Sequence, residues 1–140
     1  MAVVGHGIDC VEVERIQGLL DAHGTRFTHR CFTQEERIHA DHAQRRRAER
    51  YAVRFACKEA VLKALGTGLV SGMLWTDIGV QRAISGAPSV ELRGRCLEIA
   101  QERGISKWLV SLSHTPMYAV ASAIATSDEA ADTPAQVDGR

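Results

Sequence analysis

The chain reads as a single α+β domain in which an antiparallel sheet is packed with helices. Three observations predict it. Apolar residues in the first half recur at helical spacing, those after Gly68 alternate as strands do, and 140 residues suffice for one hydrophobic core. Runs of helix followed by antiparallel strands belong to the α+β class.

Residues 2–10 are β-branched and glycine-rich, with Val3 and Val4 preceding Gly5 and Gly7. That suits a strand closely approached by other backbone. From Val13 the spacing of Val13, Ile16, Leu19 and Leu20 predicts a helix, which Gly24 stops. Thr33 and Glu36 form a capping box with Phe32 before it as a hydrophobic staple, so a second helix begins there. The capping box accounts for Glu36. The charged run from His39 to Arg50 leads into a long helix that carries Glu59 and Lys63.

Leu74, Thr76, Ile78 and Val80 alternate with their neighbours as one strand. Ser85-Gly86-Ala87-Pro88 reads as a turn, and Val90 with Leu92 starts the return strand. Residues 94–103 are helical in composition and close at Gly104. Two last strands, Trp108 to Ser113 and Tyr118 to Ile124, join around Thr115-Pro116. The folded domain is expected to span 1–126. Residues 127–140, small, acidic and poor in large apolar groups, read as a disordered tail.

Composition narrows the partners. With 17 basic and 17 acidic side chains the formal charge is zero, so no global field draws the chain to nucleic acid or membrane. No apolar run has the length of a bilayer span, and the N-terminus lacks the pattern of a secretory signal. Arg45-Arg46-Arg47 is flanked by Asp41 and Glu49 without aromatic interleaving, which is a solvated helix face rather than a nucleic-acid site. Cys10, Cys31, Cys57 and Cys96 are scattered among apolar neighbours with no Cys-x-x-Cys pair. They read as reduced packing residues of a cytoplasmic protein, not as zinc ligands.

Chemistry concentrates in residues 54–68. Glu59 precedes Lys63 by one helical turn, so the two share a face, and Phe55 and Leu62 border it with apolar surface. Gly66-Thr67-Gly68 follows. An acid and a base at the edge of a core beside a glycine-rich turn suit a metal-phosphate site. A surface ion pair ending in a helix C-cap has the same pattern. Asp9, at the end of an apolar strand, needs a partner, which a metal or a helix N-cap role near Val11 would each supply.

Four segments in order decide between these readings. They are GHGIDCVEVERI at 5–16, Phe32-Thr33-x-x-Glu36, KEA-x-x-KALG-x-G at Lys58 to Gly68, and VSLSHT at 110–115 with Tyr118 beyond it. Together they resemble holo-acyl-carrier-protein synthase, the small single-copy type of 4′-phosphopantetheinyl transferase, from about Val4 to Ala125. The resemblance implies that family's fold and its reaction. The serine of apo acyl carrier protein attacks the β-phosphate of coenzyme A, taking the 4′-phosphopantetheine and releasing adenosine 3′,5′-bisphosphate.

It also implies roles for particular residues. Asp9 and Glu59 would hold Mg²⁺, an ion that usually takes one or two carboxylates and fills its shell with water and phosphate oxygens. Glu59, directly or through a metal-bound water, would be the general base, and Lys63, facing the pyrophosphate, would either stabilise the leaving group or donate a proton to it. Gly66 and Gly68 would offer backbone N–H groups to phosphate oxygens. Arg54 is the candidate for the 3′-phosphate, Pro88 would border the adenine, and His114 with Thr115 would contact the coenzyme A phosphates. Arg15, with Arg26 nearby, would meet the acidic helix of the carrier protein. A homotrimer with sites between subunits is expected.

The chain departs from the family at a few places. Ala87 stands where Lys or Arg is usual, so one phosphate contact is missing or is supplied elsewhere. Gly79 replaces a residue that is usually acidic, and His23 and Thr25 sit where positive charge is common. Two rival readings are a non-catalytic carrier or coenzyme A binding module and an RNA-binding protein using Arg45 to Arg47. The first has no need of Asp9, Glu59 and Lys63 together; the second rests on one charge run.

Overall fold

A computed structural model describes residues 1–128. Its centre is helix α4 (Arg47–Leu65), buried nearly all round. A helix apolar on every side belongs inside a domain. One side of α4 lies on a three-stranded antiparallel sheet made of β1 (Ala2–Glu12), β5 (Tyr118–Ser127) and β4 (Lys107–His114), in that order. The other sides take α1 (Val13–His23), α3 (Gln34–Asp41) and a two-stranded ribbon of β2 (Ile78–Arg82) and β3 (Pro88–Leu92), while α2 (Thr25–Cys31) packs on α1 and α3. Helix α5 (Gly94–Glu102) links the ribbon to β4.

Glycine sets how closely strand and helix meet. A Cβ on Gly5 would stand 2.1 Å from the Ala64 carbonyl oxygen, and one on Gly7 only 1.9 Å from that of Ala60. The close approach expected for β1 is therefore a backbone-to-backbone contact with α4. From β5, Ala119, Ala121, Ala123 and Ala125 face the same helix, all fully buried. The opposite face of the sheet exposes Ile8, Leu109 and Tyr118.

Several expectations need correction. Helix α2 was not legible as a separate element: after Gly24, in a positive-φ conformation, its buried side is Phe27, Thr28 and Cys31, of which just two are apolar. Leu74 and Thr76 do not open a strand. The Asp77 carboxylate accepts the Leu74 N–H at 3.0 Å and winds Trp75–Asp77 into a 3₁₀ turn, so β2 starts at Ile78. The capping box of α3 is formed on both sides, but Phe32 has only Arg37 four positions into the helix. It packs instead on Phe27 and Tyr51, with ring centroids 5.6 and 4.7 Å away. Cys10 is exposed, while Cys31, Cys57 and Cys96 are buried free thiols. Arg47 is tethered by an ion pair to Asp41 at 2.8 Å. The tail expected from residue 127 lies outside the described residues beyond Asp128, and β5 runs through Ser127.

Candidate active site

The β1–α4 contact brings three of the chemically suited side chains together. Asp9 follows Gly5 and Gly7 on the row of β1 that faces α4, half-buried at the strand's edge. Lys63 Nζ donates to Asp9 Oδ1 at 3.1 Å and to the Ile8 carbonyl oxygen at 2.9 Å. Asp9 is not a helix cap, since α1 opens at Val13 behind Glu12. Lys63 turns to β1 rather than to Glu59, so the simple surface pair between them is absent. Burial pushes the Glu59 carboxyl up, the Asp9 charge pushes it further, and Lys63 and Arg15 oppose both. A half-buried carboxylate whose charge is disfavoured by a second one beside it makes with it a donor set that a cation relieves. Among the described residues no three His, Cys, Asp or Glu side chains gather as a metal cage. Two carboxylates fit magnesium, which draws its remaining ligands from water and phosphate.

A second group collects elsewhere. Arg54 is only 5% exposed. It donates through Nη1 to the Arg50 carbonyl oxygen at 3.0 Å and through Nη2 to His39 Nδ1 at 2.6 Å, while its Nε has no partner among the described residues. Burial lowers the Arg54 pKa, and Arg82 and Arg50 lower it further against the pull of Glu36. A cavity of about 250 Å³ is lined by His39, Arg46, Arg50, Arg54, Arg82 and His114. His114 pairs through Nδ1 with Glu49 at 3.0 Å. Of these residues sequence reasoning tied only Arg54 and His114 to coenzyme A, and it read Arg46 as part of a solvated face. Arg46, Arg50 and Arg54 recur every fourth residue into α4, so that stripe was legible, whereas His39 and Arg82 come from α3 and β2 and only the fold places them beside it.

The two groups do not meet in one chain. Sheet order puts Asp9 and His114 on opposite edge strands, with β5 between. On α4, Arg54 and Glu59 are five residues apart, roughly 140° around the helix.

The remaining expected contacts vary. Gly66 is not free to bind phosphate through its N–H, which donates to the Leu62 and Lys63 carbonyl oxygens, both at 3.0 Å, and closes α4 in the left-handed region. Gly68 also has positive φ. A Cβ on Gly66 would lie 3.2 Å from Arg103 Nη1, so a further cation, missed in the sequence, stands beside this turn. Thr115 Oγ1 accepts the Met117 and Tyr118 N–H groups and holds the β4–β5 turn. Pro88 opens β3 opposite Arg82.

Arg15 is exposed on α1 as expected, and its guanidinium lies 5.9 Å from the Phe55 ring centroid. Arg26 borders a cavity of about 400 Å³ with Leu19, His23, Phe27, Phe55 and Trp75. Phe55 is one helical turn before Glu59, which places this apolar cavity and its cationic rim next to the carboxylate pair.

The interior holds one more charged pair that sequence reasoning did not foresee. Lys58 and Glu36 meet at 2.8 Å, with side chains 0% and 1% exposed. Glu36 also accepts the Thr33 and Val80 N–H groups, and Lys58 donates to the Trp75 and Ile78 carbonyl oxygens. The capping box is thus half of what Glu36 does. The pair fastens α3, α4 and the β2 strand to each other.

Comparison with known proteins identifies the family and the fold. The model of the 4′-phosphopantetheinyl transferase superfamily matches residues 5–129. A holo-[acyl-carrier-protein] synthase of Koribacter versatilis is 42% identical over 122 residues, covering 87% of this chain and 97% of that one. Among solved structures, the Neisseria meningitidis holo-[acyl-carrier-protein] synthase superposes with a TM-score of 0.81 at 31% identity, covering 90% of this chain and all of that one. The Bacillus anthracis synthase, solved in complex with CoA (3′,5′-ADP), gives 0.75 at 33% identity over 89% of this chain and 97% of its own. The chain belongs to the 4′-phosphopantetheinyl transferase superfamily.

Proposed function

We propose that this chain moves 4′-phosphopantetheine from coenzyme A to a serine of apo acyl carrier protein, with the Asp9–Glu59–Lys63 cluster as its reacting centre. The observation that carries the assignment is the convergence of two carboxylates and an ammonium from β1 and α4. Glu59 accepts the proton of the serine hydroxyl as its oxygen bonds to the β-phosphorus. The bond from that phosphorus to the oxygen of adenosine 3′,5′-bisphosphate breaks, and Lys63 stabilises the charge left on the leaving group. Mg²⁺ held by Asp9 and Glu59 would supply positive charge to the phosphoryl oxygens. Arg54, His114, Thr115, Pro88 and Gly68 are proposed for coenzyme A. Gly66 is proposed as the cap that aims this turn. Arg15 and Arg26 are proposed for the carrier protein, on the rim of the apolar cavity.

Asp9 and His114 lie on opposite edge strands of the three-stranded sheet, so we propose that a neighbouring copy brings the cationic group to the acidic one, in a homotrimer. The sheet face carrying Ile8, Leu109 and Tyr118 supports this, because apolar surface of that kind is suited to burial between copies. Three buried unpaired thiols suit the reducing cytoplasm. No helix among the described residues is long and apolar enough to cross a membrane.

The test is mass spectrometry of apo carrier protein incubated with this chain, Mg²⁺ and coenzyme A. A gain of one phosphopantetheine is expected. Binding without a mass gain would make the chain a carrier-binding module instead.

A further inference from the structure

Position 87 is alanine, and the hairpin that holds it carries its charge elsewhere. Arg82 is the last residue of β2, in register with Pro88 of β3. Its Nη1 reaches across the turn to the Gly86 carbonyl oxygen at 3.4 Å, so the guanidinium stands beside the backbone of Ala87. That one long contact leaves most of its five N–H donors unused. The same side chain lines the cavity of Arg54 and His114, together with Arg46 and Arg50. A second cavity of about 380 Å³ shares His39, Arg54 and Arg82 with it.

This assembly is costly without an anion. Burial, and after it the neighbouring Arg82 and Arg50, lower the pKa of both Arg54 and His39. Arg54 is buried with an orphaned Nε. Among the described residues the carboxylates near these cations are Glu49 at His114, Glu35 on the second cavity, and Glu36, which is already paired with Lys58, so the four guanidinium groups are not fully balanced. A phosphate monoester, carrying close to two negative charges at neutral pH and three acceptor oxygens, matches what the cavity lacks.

We infer that Arg82 binds the 3′-phosphate of coenzyme A in this chain, supplying from β2 the cation that Ala87 does not. The inference rests on the transferase reading and adds a residue that determines donor specificity. Arg82 reaches the phosphate from the hairpin side and Arg54 from α4, so the ligand is held between two elements.

The experiment compares coenzyme A with 3′-dephospho-coenzyme A as donors to one apo carrier protein. The wild-type chain should prefer coenzyme A in kcat/KM. In Arg82→Gln that preference should fall by about tenfold, the loss of one charge-assisted contact, and Arg82→Lys should keep part of it. Placing Ala87→Lys in the Arg82→Gln background should restore it. The inference is overturned if the wild type uses both donors equally, if Arg82→Gln slows both by the same factor, or if the variant changes only the KM for carrier protein. Absence of transfer from either donor by the wild type is a separate failure, that of the transferase reading itself.

Discussion

Lys58 and Glu36 form an ion pair 2.8 Å long with neither side chain reaching solvent, directly before the proposed general base on the same helix. Burial lowers the Lys58 pKa, while Glu36 raises it, and two carbonyl oxygens complete the ammonium's hydrogen bonds. Removing one partner strands the other charge. Glu36→Ala or Lys58→Met should therefore destabilise the fold by about 3–5 kcal/mol. The double variant should lose less than the sum. Urea unfolding checks this, and additive losses would mean that the two residues act independently.

Asp9→Ala and Glu59→Ala should each lower transfer by at least about a hundredfold, since each removes a charge from the reacting centre. Both residues sit at the edge of the core, so the urea midpoint should move little. Normal turnover by either variant at limiting Mg²⁺ would remove the metal assignment.

Arg15→Glu should raise the KM for carrier protein and leave coenzyme A affinity close to the wild-type value. Exposed rim charges act mainly by steering encounter. The difference from wild type should shrink as salt rises, because exposed charges farther apart than about 8–10 Å are largely screened at about 0.1–0.15 M. A variant that loses coenzyme A affinity instead would show that α1 has been given the wrong role.

Leu109→Arg places a charge on the uncovered sheet face, opposite Ile124. Sedimentation should show a trimer for the wild type and a monomer for the variant. Transfer should be lost while the circular dichroism spectrum is kept. A fully active monomer would sink the shared site but not the chemistry.

Alkaline pH probes the core. Burial pushes the Cys57 thiol up from 9.0 to about 12. Between those values the folded chain keeps a proton that the unfolded chain has released. The stabilisation is complete below pH 9 and is lost as pH rises through that window, by up to about 1.4 kcal/mol per pH unit for one thiol. The urea midpoint should fall above pH 9, and less steeply in Cys57→Ala. Parallel curves for the two would show that Cys57 does not hold its proton in this way.

What could be read in the sequence was local. The capping box at Thr33, the stop at Gly24, the long helix and the last two strands all declare themselves within a few residues. Asp9, Glu59 and Lys63 were legible because short motifs surround them. Helix α2 was hidden, having too few apolar positions to show a period. Glu36 and Lys58 are 22 residues apart, and each had an adequate local explanation or none. The cation cavity draws on residues from 39 to 114, so only the fold could assemble it. The sequence left Gly66 between a phosphate-binding and a capping role because a free N–H and a capping N–H look alike until the helix end is seen.

The contact between Gly7 and the Ala60 carbonyl has a bearing on descent. It fixes the spacing of β1 from α4 by backbone alone, and Asp9 and Lys63 meet across that spacing. No larger residue on the helix can make room for a side chain at position 7, because the obstacle is a carbonyl oxygen. Lineages that keep this pairing of strand and helix must therefore inherit a bare position 7, whatever happens to the apolar residues around it. Drift can rewrite the carrier-binding rim and the phosphate cavity one residue at a time, but it has almost no path through this point.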